Sequence, residues 1–286
     1  MRFAVFRCCP SHLLQAYEVS ANAILKALDL TSVEVKEFNC CGYPFKNIDF
    51  KSYLLSSSRN LAVAEQRDLD IITLCDCCYG SLQQAKHVLD QGSELKEEVN
   101  RSLRRERLEY GGKARVRHLL DVLYRDVGIE SLKSKVVRPY QGLKVAAHYG
   151  CHLLRPSQTA CFDNPMNPAI LDRLIEVTGA KCVEWSKKTK CCGAPLIGID
   201  DELSENLAAG KMRDAADAGA DLLCSTCLYC QLRFSQMQAS KSVSGSCKPG
   251  ISSVLYPQLL GLSLGIEPFE LRINPFSHGI SSSHDA

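Results

Sequence analysis

The sequence repeats itself, and this repeat constrains the fold more than any other feature of the chain. A basic residue, a short apolar run and a cysteine occur at residues 2–9 and again at 144–151. An adjacent cysteine pair, followed by glycine and one residue later by proline, occurs at 40–44 and again at 191–195. Two further landmarks follow in the same order, so we interpret the chain as an internal duplication.

These further landmarks lie in the later part of each half. Asn-Leu-Ala, four residues and then Arg-Asp occupy 60–68 and 206–214. A Cys-x-x-Cys motif occupies 75–78 and 227–230, separated from the cysteine pair by 33 residues in the first half and 34 in the second. A motif starting at Cys224 would give a gap of 31 residues, which matches the first half less well.

The repeat therefore places ten cysteines in two sets of five. The set in the first half is Cys9, Cys40, Cys41, Cys75 and Cys78. The set in the second half is Cys151, Cys191, Cys192, Cys227 and Cys230. The cysteines that fall outside both sets are Cys8, Cys77, Cys161, Cys182, Cys224 and Cys247.

Metal ligation explains 16 cysteines in 286 residues better than disulfide bonding does. A chain of this length buries a core without disulfides. The apolar run at 3–6 is too short for a secretion signal, so we predict a cytoplasmic protein, in which thiols stay reduced. The net charge of +2 and the lack of an apolar run of about 18 residues lead us to expect neither a nucleic-acid partner nor membrane insertion.

Short apolar runs alternate with amphipathic stretches in each half. The predicted strands are 3–6, 33–38, 70–74, 145–148, 182–185 and 221–224, and the predicted helices are 13–28, 168–178 and 203–218. This alternation favours an α/β fold of two pseudo-symmetric halves, each a small parallel sheet flanked by helices. The cysteines follow the C-terminal strand ends, where distant residues converge. Gly42 and Gly193 suit tight turns.

We expect four segments along the chain: a first repeat (1–95), a charged helical connector (96–142), a second repeat (143–270) and a flexible tail (271–286). The charges at 95–118 are of both signs, so a solvated helix ending at Gly111-Gly112 is favoured over a basic nucleic-acid face. In the tail, His278 and His284 receive no role.

Five thiols in each set favour an iron–sulfur centre. Tetrahedral zinc takes four ligands and has no use for a fifth. The side chains of adjacent cysteines diverge in an extended backbone, so they reach different metal atoms. Soft thiolates suit iron in a centre of several metal atoms.

The repeated spacing resembles the cysteine-rich CCG domain of the B-subunit of heterodisulfide reductase. The phrases at 74–81 and 148–156 resemble that B-subunit as well, and the resemblance extends over 1–267. Proteins of sulfur-oxidising complexes and of several dehydrogenases share the domain. The resemblance implies that each five-cysteine set holds a non-cubane [4Fe-4S] centre, and that the two centres flank a disulfide and reduce it. It also implies two partners, a ferredoxin-type C-subunit and a flavin-containing A-subunit.

His152 follows a predicted ligand directly. It could hydrogen-bond a cluster sulfide or deliver a proton, although a structural role beside the ligand is an equal alternative. We expect His148 and Trp185 to pack in the core. No Gly-x-Gly-x-x-Gly opens a helix after a strand, so the electrons must come from another protein of the complex.

Three functions remain open at this point: two-electron disulfide or thiol redox catalysis, electron relay to a flavin or quinone-linked partner, and a metal-stabilised scaffold without redox chemistry. Only the first requires a cavity for a disulfide or thiol between the two centres.

Overall fold

The fold contains one parallel sheet in each half of the chain. A computed structural model describes residues 3–9, 15–244 and 251–273. In the first half the strand order is β1-β2-β3, and the strands are Phe3–Phe6 (β1), Asp70–Thr73 (β2) and Val116–His118 (β3). In the second half the order is β5-β4-β6-β7, and the strands are Lys144–His148 (β4), Lys181–Val183 (β5), Leu222–Ser225 (β6) and Ser252–Leu255 (β7).

Helices cover these sheets and connect their strands. In the first half they are Gln15–Ala27 (α1), Phe50–Gln66 (α2), Asp76–Gln91 (α3), Ser93–Leu103 (α4), Leu119–Asp121 (α5) and Ile129–Ser134 (α6). In the second they are Cys151–Leu154 (α7), Ser157–Ala160 (α8), Ile170–Val177 (α9), Asp201–Asp217 (α10), Leu228–Ser244 (α11) and Tyr256–Ser263 (α12). The expectation of two parallel sheets flanked by helices is confirmed. Among the described residues, no helix has both the length and the apolar character needed to cross a bilayer.

The register of the two sheets shows how the halves correspond. Phe6 at the end of β1 pairs with Thr73, two residues before Cys75. In the same way, His148 at the end of β4 pairs with Ser225, two residues before Cys227. Phe6 and His148 therefore occupy equivalent positions in the two halves.

The predicted strand at 33–38 is wrong. Val33 makes one isolated parallel bridge to Ala4, and the chain then turns at Lys36 and Glu37. These two charged residues are exposed, so the segment buries little more than Val35 and gains too little from extending the sheet edge.

The charged helix that was predicted to end at Gly111-Gly112 is wrong beyond Leu103, where α4 ends. The loop that follows is fastened by Asn100, whose side chain donates to the Tyr110 carbonyl at 3.1 Å and accepts from the Tyr110 N–H at 2.8 Å. The Glu65 carboxylate accepts from the N–H groups of Gly111 and Lys113. The chain then enters the first sheet as β3. This strand has three residues, too few for an alternation of apolar and polar side chains to predict it from the sequence.

The Asn-Leu-Ala landmark of the repeat is out of register. Helices α2 and α10 both have 17 residues, and each begins after an N-cap aspartate, Asp49 or Asp200, whose carboxylate accepts from the backbone three residues later. Counting from these caps, Asn60 corresponds to Lys211 and not to Asn206. The similarity at 60–68 and 206–214 is therefore coincidental in three dimensions.

The tail predicted at 271–286 lies mostly outside the described residues, as do Cys247, His278 and His284. The described part of this segment ends at Ile273, which is buried, as is Leu271 beside Gly261 of α12.

Candidate metal centre

Each adjacent cysteine pair ends in a left-handed glycine turn. Gly42 has φ +83° and Gly193 has φ +86°, and a short 3₁₀ turn containing proline follows each one. A Cβ atom would lie 2.8 Å from the Tyr53 carbonyl oxygen at Gly42 and 2.5 Å from the Ser204 carbonyl oxygen at Gly193. The expected turns are confirmed, and glycine lets each one pack directly against the following helix.

The first thiol group combines the predicted set of the first half with one more cysteine. Its members are Cys8, Cys9, Cys40, Cys41, Cys75 and Cys78. The sulfur atoms of Cys8, Cys75 and Cys78 lie within 4.8 Å of one another and are buried. The Cys9 thiol interacts with that of Cys40, and the Cys41 thiol with that of Cys78.

The second thiol group consists of the five predicted cysteines of the second half, Cys151, Cys191, Cys192, Cys227 and Cys230. Their thiols interact in a chain in which Cys191 contacts Cys151 and Cys192, and Cys230 contacts Cys192 and Cys227. The structure thus brings together the members of each predicted set, which are up to 79 residues apart in sequence.

The two thiol groups touch each other. Cys75 Sγ lies 3.7 Å from Cys227 Sγ, and Cys77 Sγ lies 3.7 Å from the same atom. Cys77 occupies the position that Tyr229 holds in the second Cys-x-x-Cys motif, and the Tyr229 hydroxyl lies 3.7 Å from Cys9 Sγ. Each motif therefore sends one side chain across to the thiol group of the other half.

Paired thiols in each group share a proton. Contact with the Cys40 thiol lowers the pKa of Cys9 to about 3, and contact with the Cys151 thiol lowers the pKa of Cys191 to about 2. Contact with the Cys41 thiol, and then with the Cys9 thiol, raises the pKa of Cys40, and contact with the Cys191 thiol raises the pKa of Cys151. Each pair thus offers one ready thiolate, and a metal would displace the remaining proton.

His152 lies between the thiol groups. Its Nδ1 is 3.5 Å from both Cys77 Sγ and Cys151 Sγ, and its ring meets the Tyr43 ring edge-on at 4.9 Å. Burial, aided by the Lys46 ammonium, lowers the pKa of His152, so the imidazole is neutral at pH 7.

A cavity of about 310 Å³ opens beside the contact between the thiol groups. Its wall includes thiols of the second group together with Cys77, and aromatic and aliphatic side chains complete it. Its lining includes Tyr43, Cys77, His152, Ile197, Cys227 and Tyr229.

Two further side chains approach the second thiol group. One ring nitrogen of His148 lies within 4.8 Å of both Cys192 Sγ and Cys230 Sγ. Lys211 is 1% exposed, and burial lowers its pKa to about 8 while the thiolates of this group oppose that shift. Its ammonium donates to the Lys187 carbonyl and lies 4.6 Å from the centre of the Trp185 ring.

Sequence reasoning missed Cys8, Cys77 and His148. Cys8 and Cys77 each adjoin a predicted ligand, but the repeat offered Gly150 and Tyr229 at their positions and so removed them. His148 does pack against the Phe234 ring, 5.3 Å away, as expected, yet it also faces thiols. Trp185 packs on the second sheet and donates to the Ala147 carbonyl at 3.0 Å.

Three of the cysteines placed outside the sets lie elsewhere. Cys161 is exposed, Cys182 Sγ lies 3.2 Å from an Asp172 oxygen, and Cys224 is buried within β6. The donors that do converge are thiols and the imidazoles of His148 and His152. Cys9 and Cys191 are exposed, Cys40 and Cys151 are half-buried, and the other thiols are buried. Such a set fits a soft metal or an iron–sulfur centre and does not suit a hard oxygen-seeking cation.

Comparison with known families agrees with this geometry. The profile of the cysteine-rich domain, CCG, matches twice, at residues 3–83 and 145–235. Both matches contain a complete five-cysteine set.

Several characterised proteins are similar over most of the chain. The B-subunit of the ferredoxin/F420H2-dependent CoB-CoM heterodisulfide reductase of Methanosarcina acetivorans is 35% identical over 277 residues, which cover 95% of this chain and 92% of that protein. The 8-methylmenaquinol:fumarate reductase membrane anchor subunit of Wolinella succinogenes is 33% identical over 256 residues, or 89% of each chain.

A solved structure shares the fold. The crystal structure of a hypothetical protein from Helicobacter pylori superposes with a TM-score of 0.72 and 18% sequence identity. The alignment covers 95% of this chain, which spans about half the length of that one.

Proposed function

This chain belongs to the cysteine-rich CCG domain family and is homologous to the B-subunit of heterodisulfide reductase, and we propose that it is the catalytic iron–sulfur component of a heterodisulfide-reductase-like complex. Its reaction would be two-electron redox chemistry on a disulfide or its thiols. The observation that carries this proposal is the cavity beside the contact between the two thiol groups, because a relay without a substrate needs no such space.

We propose the five predicted cysteines of each half as the ligands of one [4Fe-4S] centre of the non-cubane kind. Adjacent cysteines in each set support several iron atoms at different positions. Bound there, the two centres would supply the electrons for disulfide cleavage and a thiophilic iron for each sulfur released.

In this proposal, His152 and Tyr43 position the substrate sulfur. Tyr43 packs edge-on against the His152 ring and holds it in place at the cavity. Since the imidazole is neutral and buried, its N–H can donate to a thiolate formed in the cavity without bringing a competing charge. We therefore propose His152 as the catalytic residue that donates a hydrogen bond to the thiolate sulfur.

Electrons would reach the thiol groups from other proteins of the complex. We propose a ferredoxin-type C-subunit and a flavin-containing A-subunit, by homology with the reductase complexes. We propose the cytoplasm as its compartment, because thiols stay reduced there and can serve as ligands.

One observation favours a second function, electron transfer without substrate chemistry. The Wolinella relative at 33% identity is named as part of a fumarate reductase, whose substrate is not a disulfide. In such a complex the thiol groups would hold relay centres, and thiols would not bind.

Two tryptophan variants, one in the cavity wall and one outside it, separate the two functions. The protein is purified without oxygen, its iron and sulfide are measured, and the EPR spectrum of the oxidised protein is recorded with and without a small thiol. Catalysis predicts about eight irons and a spectrum that the thiol changes. Ile197→Trp, at the cavity wall, should abolish that change, whereas Ile199→Trp, on the same loop and 81% exposed, should preserve it.

A signal that appears only on reduction and ignores thiols would favour the relay. Iron at trace level after anaerobic reconstitution would contradict both functions.

A further inference from the structure

The two thiol groups differ in the charged and hydrogen-bonding side chains beside them, although the backbone around them is repeated. We propose that the centre in the second thiol group has the higher reduction potential, and that His148 and Lys211 raise it. This inference rests on the proposed iron–sulfur function and adds the direction in which electrons move between the centres.

The first difference is at the end of the first strand of each half, β1 or β4. The first half has Phe6 there, whose ring packs on Phe38 with centroids 5.3 Å apart. The equivalent His148 is fully buried and points a ring nitrogen at Cys192 and Cys230. The Lys188 backbone interacts with the ring, yet neither nitrogen makes a hydrogen bond of good geometry within the described chain.

A buried imidazole without good partners is costly, so its neighbours in the working protein must satisfy it. The adjacent thiolates and the sulfur atoms of a bound centre are acceptors of the right kind. An N–H directed at cluster sulfur stabilises the more negative, reduced state and raises the potential. Phe6 can offer no such bond to the first group.

The second difference is in the helix after each glycine turn. Asn60 is neutral and is used structurally, since it donates to the Cys40 carbonyl at 3.0 Å and accepts from the Asn39 N–H at 2.9 Å. The equivalent Lys211 buries an ammonium, and the Lys187 carbonyl that accepts from it is not charged. The thiolates of the second group attract this ammonium electrostatically, so it faces the negative charge that reduction would increase.

The cavity lies on the acceptor side of this gradient. Most of the thiols in its wall, including Cys151, Cys192, Cys227 and Cys230, belong to the second group. Electrons that enter at the first centre would therefore move towards the centre whose thiols form most of the cavity wall, across the contact between Cys75 and Cys227.

Single-centre proteins test the inference without reference to turnover. Cys41→Ala should leave the second centre alone and Cys192→Ala the first, and EPR-monitored redox titration gives the midpoint potential of each. We expect the second centre to have the higher potential. In the Cys41→Ala protein, Lys211→Asn and His148→Phe, which install the residues of the first half, should each lower it.

Matched variants control for charge and folding. Lys211→Arg keeps the charge and should restore the potential, and Arg213→Gln removes an exposed charge from the same helix and should change nothing. In the protein that keeps both centres, Lys211→Asn should lower the midpoint potential of only the higher of the two titration steps. Iron content and thermal unfolding are checked in parallel. If the lysine variants do not fold, the potential of the His148→Phe protein tests the inference by itself.

Equal potentials, a higher potential in the first centre, or no effect of either substitution would overturn this inference and leave the proposed function intact. Absence of iron from the reconstituted parent protein would overturn both.

Discussion

Cys75 Sγ and Cys227 Sγ lie 3.7 Å apart although 152 residues separate them in the chain. Each follows an inner strand of its own sheet, β2 or β6, so the chain segments after these two strands meet at this point. Two copies of one supersecondary unit thus form a single thiol-lined region. A pair of centres held there would be close enough to act on one substrate.

The contact between the halves is secured by a buried polar network. Asp76 Oδ2 accepts from the Thr226 hydroxyl at 3.0 Å, and His118 Nε2 lies 3.2 Å from Asp76 Oδ1. Gly150 leaves room for the Asp76 carboxylate, since a Cβ atom there would collide with it. This network joins the chain after β2 to the chain after β6 and so holds the two halves together.

Loss of one ligand should remove one centre. We expect Cys41→Ala and Cys192→Ala each to lower the iron content of the reconstituted protein by about half and to abolish turnover, because each removes a buried thiol from its group. Iron and acid-labile sulfide analysis checks this. Cys247→Ala and the exposed Cys161→Ala should keep full iron, and loss of a centre in the Cys247 variant would refute the grouping of ligands.

The glycine turn of the second half should tolerate no side chain. Gly193→Ala places a Cβ atom 2.5 Å from the Ser204 carbonyl oxygen in addition to the cost of positive φ, whereas at Gly198 (φ +78°) nothing lies within 4 Å. We expect Gly193→Ala to lower the free energy of unfolding by roughly 1–3 kcal/mol more than Gly198→Ala does. Denaturant unfolding of the metal-free variants measures this. An equal loss of unfolding free energy in the two variants would show that the chain shifts and relieves the contact with the Ser204 carbonyl oxygen.

The polar contact between the halves should contribute to stability. Thr226→Val removes the donor to Asp76 and leaves a buried carboxylate oxygen without it, so we expect the free energy of unfolding to fall by about 1–3 kcal/mol. Thr31→Val, at an exposed position, serves as the control. A double-mutant cycle with Asp76→Asn should show coupling between the two sites, and simple additivity would mean that the contact contributes nothing of its own.

Cys77 should affect the cavity more than metal binding. It lies 3.5 Å from His152 Nδ1 and 3.7 Å from Cys227 Sγ, but it is not one of the five predicted ligands. We expect Cys77→Ala to retain all the iron and to weaken thiol binding by roughly 10–100-fold, as for other neighbours of metal ligands. Titration of the EPR change with thiol measures this, with Cys161→Ala as the control. A loss of iron would make Cys77 a ligand instead.

Much of this site was predictable because the spacing between residues along the chain can be compared directly between the two copies of the repeat. The two five-cysteine sets, the glycine turns and the parallel α/β halves all follow from motifs that occur twice in the same order. Aspartates at equivalent positions cap α2 and α10, so the local sequence also determines where these helices begin.

Only the tertiary structure decided which positions are equivalent and which side chains meet. It replaced the similarity at 60–68 and 206–214 by the pairing of Asn60 with Lys211, added β3 to the first sheet, and placed Cys8, Cys77 and His148 among the thiols. The reason is physical: strand pairing and the packing of one half on the other bring together residues that are far apart in the chain. A linear pattern records which residues recur, while the faces that meet are set by burial and register across the whole fold.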